Sequence, residues 1–175
     1  MTDKVEFLKS ALGCDELGRA RRMGPPAPLV PFYDWDYYYI FDTVNWCSDT
    51  PPPRQVDVPK GFVTDLASVP PPFWSVLPKT ASYTYPAIIH DWLYWQQNCE
   101  RSEADEILRG VMIEMQVNPV KVEVIYEAVR AFGGAAWRSN RSARDRGERR
   151  ILKRFPTQMS TTWEAWKALR DVWAD

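Results

Sequence analysis

The 175-residue sequence predicts an α+β fold. A short antiparallel hairpin or small sheet packs on three to four helices, with an N-terminal arm and a C-terminal helix added. Three observations lead there. Apolar residues make up 45% of the chain and charged residues 26%, enough for the core of one ordinary domain over residues 1–175. Residues 35–63 hold two aromatic and β-branched runs on either side of a proline turn. Beyond Pro86 the apolar residues recur at helical spacing behind recognisable start signals.

The elements follow in order. Val5, Leu8 and Leu12 share a helical face and Gly13 supplies a stop, so residues 1–31 read as a short helix followed by a proline-rich arm. The core spans residues 32–134. In it, Trp35 to Val44 suits a strand, Thr50 to Pro53 a turn, and Arg54 to Val63 a partner strand. Ser68-Val-Pro-Pro-Pro-Phe-Trp is irregular, because each proline biases its predecessor away from the helix. Pro86 suits a first helical position and Ala87 to Gln97 runs on without a breaker. Ser102-Glu-Ala-Asp105 reads as a capping box that opens a helix to about Gln116. Asn118-Pro119 starts another, on which Val120, Val124 and Ala128 share a face with Ile125 and Val129, and Gly133-Gly134 ends it. Residues 135–175 hold a basic connector and a last helix. Thr161-Thr-Trp-Glu164 caps that helix, and Trp163, Trp166, Leu169 and Trp173 form its apolar stripe.

Composition narrows the function classes. The net charge of −1 gives no whole-protein field toward nucleic acid or membrane. A single histidine, His90, excludes three-histidine zinc sites and H-E-x-x-H peptidases. Cys14, Cys47 and Cys99 form no C-x-x-C pair, so buried or free thiols in a reducing compartment are expected. Residues 1–23 lack the apolar run of a signal peptide, and no stretch is long and apolar enough for a membrane span. Residues 138–154 carry eight basic side chains against Asp145 and Glu148. Beyond a solvated connector, Arg141, Arg144, Arg146, Arg149 and Arg150 are the candidates for contact with nucleic acid or an acidic partner.

Three strings then stand out in combination: Gly61-Phe-Val-Thr-Asp-Leu-Ala-Ser-Val-Pro70, Tyr85-Pro-Ala-Ile-Ile-His-Asp-Trp-Leu-Tyr94 and Arg101-Ser-Glu-Ala-Asp105. With Val129-Arg-Ala-Phe-Gly133 they resemble a family found in tailed bacteriophages and prophages, known as domain of unknown function family 1353. The likeness runs from about Val56 to Gly133. It implies phage or prophage origin and transfers no activity. On that origin the chain is expected in the host cytoplasm during infection or in the virion.

The candidate polar cluster is Asp65, Ser68, His90, Asp91 and Tyr94, with Asp105 nearby in sequence. His90 and Tyr94 share a helical face, while Asp91 is rotated by roughly 100°. One arrangement has Asp65, His90 and Asp91 binding a divalent metal, with open positions for water and hydrolysis. Another makes Ser68 a nucleophile with His90 as base, though no G-x-S-x-G elbow presents it. A third has His90 and Asp91 as an acid–base pair without metal. In the bland alternative Asp65 is a turn residue, Asp105 a helix cap, and His90 a core histidine satisfied by Asp65 or a backbone carbonyl. Two functions follow. The first is a virion or assembly component, tail- or particle-associated, whose partners are other phage structural proteins or further copies of itself. Trp163, Trp166 and Trp173 would be its partner-binding anchors should they be exposed. The second is a small hydrolase, metal-assisted or not, acting on cell wall or a host metabolite through Asp65, His90 and Asp91.

Overall fold

A computed structural model describes residues 29–48, 54–66 and 84–174. The N-terminal helix and most of the arm, the 50–53 turn and the proline-rich loop carrying Ser68 lie outside the described residues. The chain divides into two compact units, one of residues up to Val63 with Ile151 onward, the other Thr64–Arg150. Strands and helices are both present, as an α+β fold requires.

The first unit carries the strands. β1 (Leu29–Pro31), which the sequence reading placed in the arm, pairs antiparallel with β2 (Tyr38–Ile40). β3 (Val44–Cys47) and β4 (Gln55–Val58) form a hairpin in register Val44↔Val58 to Cys47↔Gln55; β4 lies inside the predicted Arg54–Val63 run, but β3 begins at Val44, where the predicted first strand ends. β5 (Val63–Thr64) completes a three-stranded sheet in the order β1-β2-β5. The strand predicted over Trp35 to Val44 is broken at both ends. Trp35 has φ 58 and turns the chain, its N–H donating to Phe32 O at 3.0 Å. Exposed Asp42 forms a bend, its carboxylate accepting from Thr43 N–H. Gly61 has φ +87, and a Cβ there would overlap the Leu152 carbonyl; only glycine allows the bridge that pairs Phe62 with Ile151.

The closing tryptophan helix is shorter than predicted. α4 (Trp163–Lys167) is followed by extended Leu169 and a 3₁₀ turn (Arg170–Val172), so the four-residue stripe does not lie on one helix. Its cap is Thr162, whose hydroxyl accepts from Ala165 N–H at 3.3 Å, one residue later than the predicted box. Trp163 and Trp173 instead join Phe32, Tyr39, Val63, Leu152 and Val172 in the core of this unit. Cys47 is disulfide-bonded, against the thiol expectation.

The second unit is helical: α1 (Thr84–Gln96), α2 (Arg101–Glu114) and α3 (Pro119–Asp145), each packed on the other two. Among the described residues no helix is long and apolar enough to cross a membrane. Asn118 caps α3 as predicted, accepting from Val120 N–H at 3.0 Å, with Pro119 at the first position. Leu108, Met112, Val122, Ile125 and Val129 fill the α2–α3 interface, whereas Val120 and Val124, predicted on the buried face, point outward.

The largest departure is the end of α3. It passes through Gly133-Gly134 and stops twelve residues later than predicted, because Gly133 serves packing and not termination. The true stop is Gly147, at φ +84. Its N–H donates to Arg144 O at 2.8 Å and Glu148 N–H to Ala143 O at 3.0 Å, the two bonds of a Schellman cap.

Candidate functional site

The polar residues singled out in the sequence separate into two sets, both on α1. His90 and Tyr94, one turn apart, face the interior, their rings in tilted contact with centroids 4.1 Å apart. Asp105 of α2, completely buried, meets them both. Its Oδ1 accepts from Tyr94 Oη at 2.6 Å and lies 3.1 Å from His90 Nε2, while Oδ2 accepts from Arg101 at 3.1 Å. Arg101 reaches on to the Val129 and Arg130 carbonyls of α3, at 3.3 Å each. One carboxylate therefore joins all three helices.

The electrostatics set the protonation states. Burial drives the His90 pKa below its ordinary 6.5, outweighing the opposite pull of Asp105. Burial pushes the Asp105 carboxyl upward, but hydrogen bonds from His90 and Tyr94 and the Arg101 charge hold it below the usual carboxylate range. Burial and the neighbouring carboxylate push the Tyr94 phenol up. The state at neutral pH is thus an ionised Asp105 accepting from a neutral imidazole through its Nε2–H. His90 is 1% exposed.

Gly133 explains part of this closeness. A Cβ there would overlap the Tyr94 hydroxyl, so α3 presents bare backbone where the phenol must fit. Ser102 does not cap α2; Glu100 stands at that position without a side-chain hydrogen bond. Asp105 is released from the predicted capping box because three converging donors hold its carboxylate more strongly than one backbone amide would.

Asp91 belongs to the second set. Its carboxylate takes a short hydrogen bond from the hydroxyl of Thr64, which also accepts from Leu66 N–H at 3.0 Å. This ties the Thr64-Asp-Leu66 corner to α1, with Leu66 in the left-handed region at φ 53. Asp65 and Asp91 are both partly exposed, unlike His90. The carboxylate against His90 is therefore Asp105 and not Asp65. Among the described residues no three His, Cys, Asp or Glu are grouped to hold a metal ion, which speaks against the metal arrangement of Asp65, His90 and Asp91, one of the alternatives the sequence left open. Ser68 lies outside the described residues.

The predicted basic connector is instead the end of α3 and its cap. Arg141 Nε donates to Gln97 Oε1 at 3.1 Å, Arg144 donates to the Gln96 carbonyl, and Arg150 stacks 4.8 Å over the Trp95 ring. These cations meet the carbonyl end of α1, where the helix dipole favours them. Arg146 and Arg149 are exposed. Thr64, Arg101 and Gly133 are the residues that sequence reasoning missed. Only Arg101, four residues before Asp105, carried a local signal.

The family model described as a protein of unknown function, DUF1353, matches residues 40–129, just over half of the chain. The chain belongs to the DUF1353 family. No curated protein and no solved structure matches it. Within the DUF1353 stretch lie Gly61, Thr64, His90, Asp91, Tyr94, Arg101 and Asp105, and every one has a defined part in packing or internal hydrogen bonding.

Proposed function

We propose that this DUF1353 chain is a non-catalytic component of a tailed-phage particle or of its assembly, tail- or particle-associated, in which the motif residues lock the fold. The observation that carries the reading is the sealing of the chain's one histidine between Asp105 and Tyr94. An imidazole kept neutral, fully buried and bonded to an internal carboxylate cannot exchange protons with a substrate. The exposed apolar side chains Val120 and Phe132 on α3 are what contact with partner subunits or further copies would use.

The test is to tag the chain in the phage or prophage that encodes it, band the particles by density and quantify the chain by mass spectrometry. The reading expects a fixed copy number per particle, unchanged by detergent-free washing. Absence from particles and from assembly intermediates overturns it. A small hydrolase is the second reading, favoured by Asp65 and Asp91, two partly exposed carboxylates of which Asp91 accepts from the Thr64 hydroxyl. It requires Asp65→Asn or Asp91→Asn to abolish a hydrolytic activity in a protein that remains folded.

A further inference from the structure

The strand-bearing unit contains a groove of about 520 Å³, within the range of small-ligand sites. One wall is the turn after β1, with Tyr33 and Trp35; the other is the 156–161 segment. The walls are tied together by backbone, Tyr33 N–H donating to Thr161 O at 2.9 Å, and by Asp34 Oδ2, which accepts from Trp163 N–H at 3.2 Å. The groove is therefore held open by the fold.

We propose that this groove binds a neutral saccharide. None of its twelve lining residues carries a charge, so it selects neither anions nor cations. Tyr33 and Trp35 are 62% and 64% exposed, large aromatic faces of the kind that stack on the C–H face of a sugar ring. Trp35 is displayed at a cost. Its φ of 58 is a conformation a bulky side chain rarely adopts, and the exposed ring regains nothing from the core of its own chain. Thr157, Ser160 and Gln158 also line the groove, bringing two hydroxyls and an amide. Each of these groups both donates and accepts, which matches sugar hydroxyls, themselves both donors and acceptors. A proline-rich peptide would use the aromatic faces but offers mainly carbonyl acceptors, leaving half of that polar capacity unused.

The experiment titrates the full chain with cellohexaose, maltohexaose and chitohexaose, followed by tryptophan fluorescence and calorimetry. Saturable binding of at least one of them is expected, weakened roughly tenfold or more in Trp35→Ala and retained in Trp35→Phe. Gln158→Leu also weakens it, while Ile113→Ala, at an exposed position of α2 in the helical unit, leaves it unchanged. Failure of all three saccharides to bind at millimolar concentration overturns the proposal. So does binding that Trp35→Ala does not alter, or saturable binding of a proline-rich peptide in their place. None of these outcomes depends on whether the chain is found in particles.

Discussion

Replacing Asp105 by alanine removes the acceptor at which three helices meet. Tyr94 Oη and His90 Nε2, at 2.6 and 3.1 Å, are left as donors in a dry interior. An unsatisfied buried polar group costs about 1–3 kcal/mol, so the pair loses roughly 2–6 kcal/mol. Arg101 is 32% exposed and recovers water, so its share is small. Asp105→Ala is therefore expected to cost about 3–5 kcal/mol, a large part of the 5–15 kcal/mol by which ordinary domains are stable. Asp105→Asn keeps an acceptor of the same shape and should lose about half as much. Urea unfolding followed by tryptophan fluorescence and by far-UV circular dichroism measures both. A loss below about 1 kcal/mol for Asp105→Ala would refute the argument that this carboxylate organises the helical unit.

Gly133→Ala forces a Cβ into the Tyr94 hydroxyl and should cost about 1–3 kcal/mol. Tyr94→Phe removes the obstructing atom, so the double variant should lose less than the sum of the two; strict additivity would show that the helices do not meet there. Trp163→Ala should cost about 3–5 kcal/mol in thermal or urea unfolding, because this ring is core and not a surface anchor, and near-neutrality would return it to the surface. Stability should fall as the pH drops through 6.5. The unfolded chain takes up a proton at His90 there, and the folded chain, with its depressed imidazole pKa, does not. A second loss follows below the ordinary carboxylate range, where Asp105 protonates in the unfolded state first. As His90 is the only histidine, His90→Gln should flatten the first slope, and a slope unchanged in that variant would contradict the account.

Local chemistry made some of this legible. Asn118-Pro119 marked the start of α3 because a cap acts within one turn. The strand β4 falls within the predicted Arg54–Val63 run, whereas its hairpin partner β3 begins at Val44, where the predicted first strand ends. Misreadings arose where a distant partner outbid a local pattern. Asp105 fits a capping box on spacing alone, and only the arrival of His90 and Tyr94 from another helix turns it inward. Gly133-Gly134 has the look of a helix stop, yet its glycine answers to a tyrosine 39 positions away. Trp163 to Trp173 keeps helical spacing, but extended Leu169 breaks the helix and lets Trp163 and Trp173 meet edge to face at 5.7 Å. For the candidate site, the residue types were evident and the pairing was not. A rotation of 100° per residue sends His90 and Asp91 to different neighbours, and sequence does not reveal which neighbour waits on each side.

The central claim is that His90 is a sealed, neutral member of a structural network. Long-range ¹⁵N–¹H spectra of the imidazole test it most directly, since one histidine yields one set of ring signals. The account predicts a neutral Nε2–H tautomer at pH 7 whose protonation midpoint lies below the free imidazole's 6.5, with an Nε2 proton protected from solvent exchange. A ring that titrates near 6.5 and exchanges freely with water would contradict it, and would return His90 to the list of residues available for chemistry.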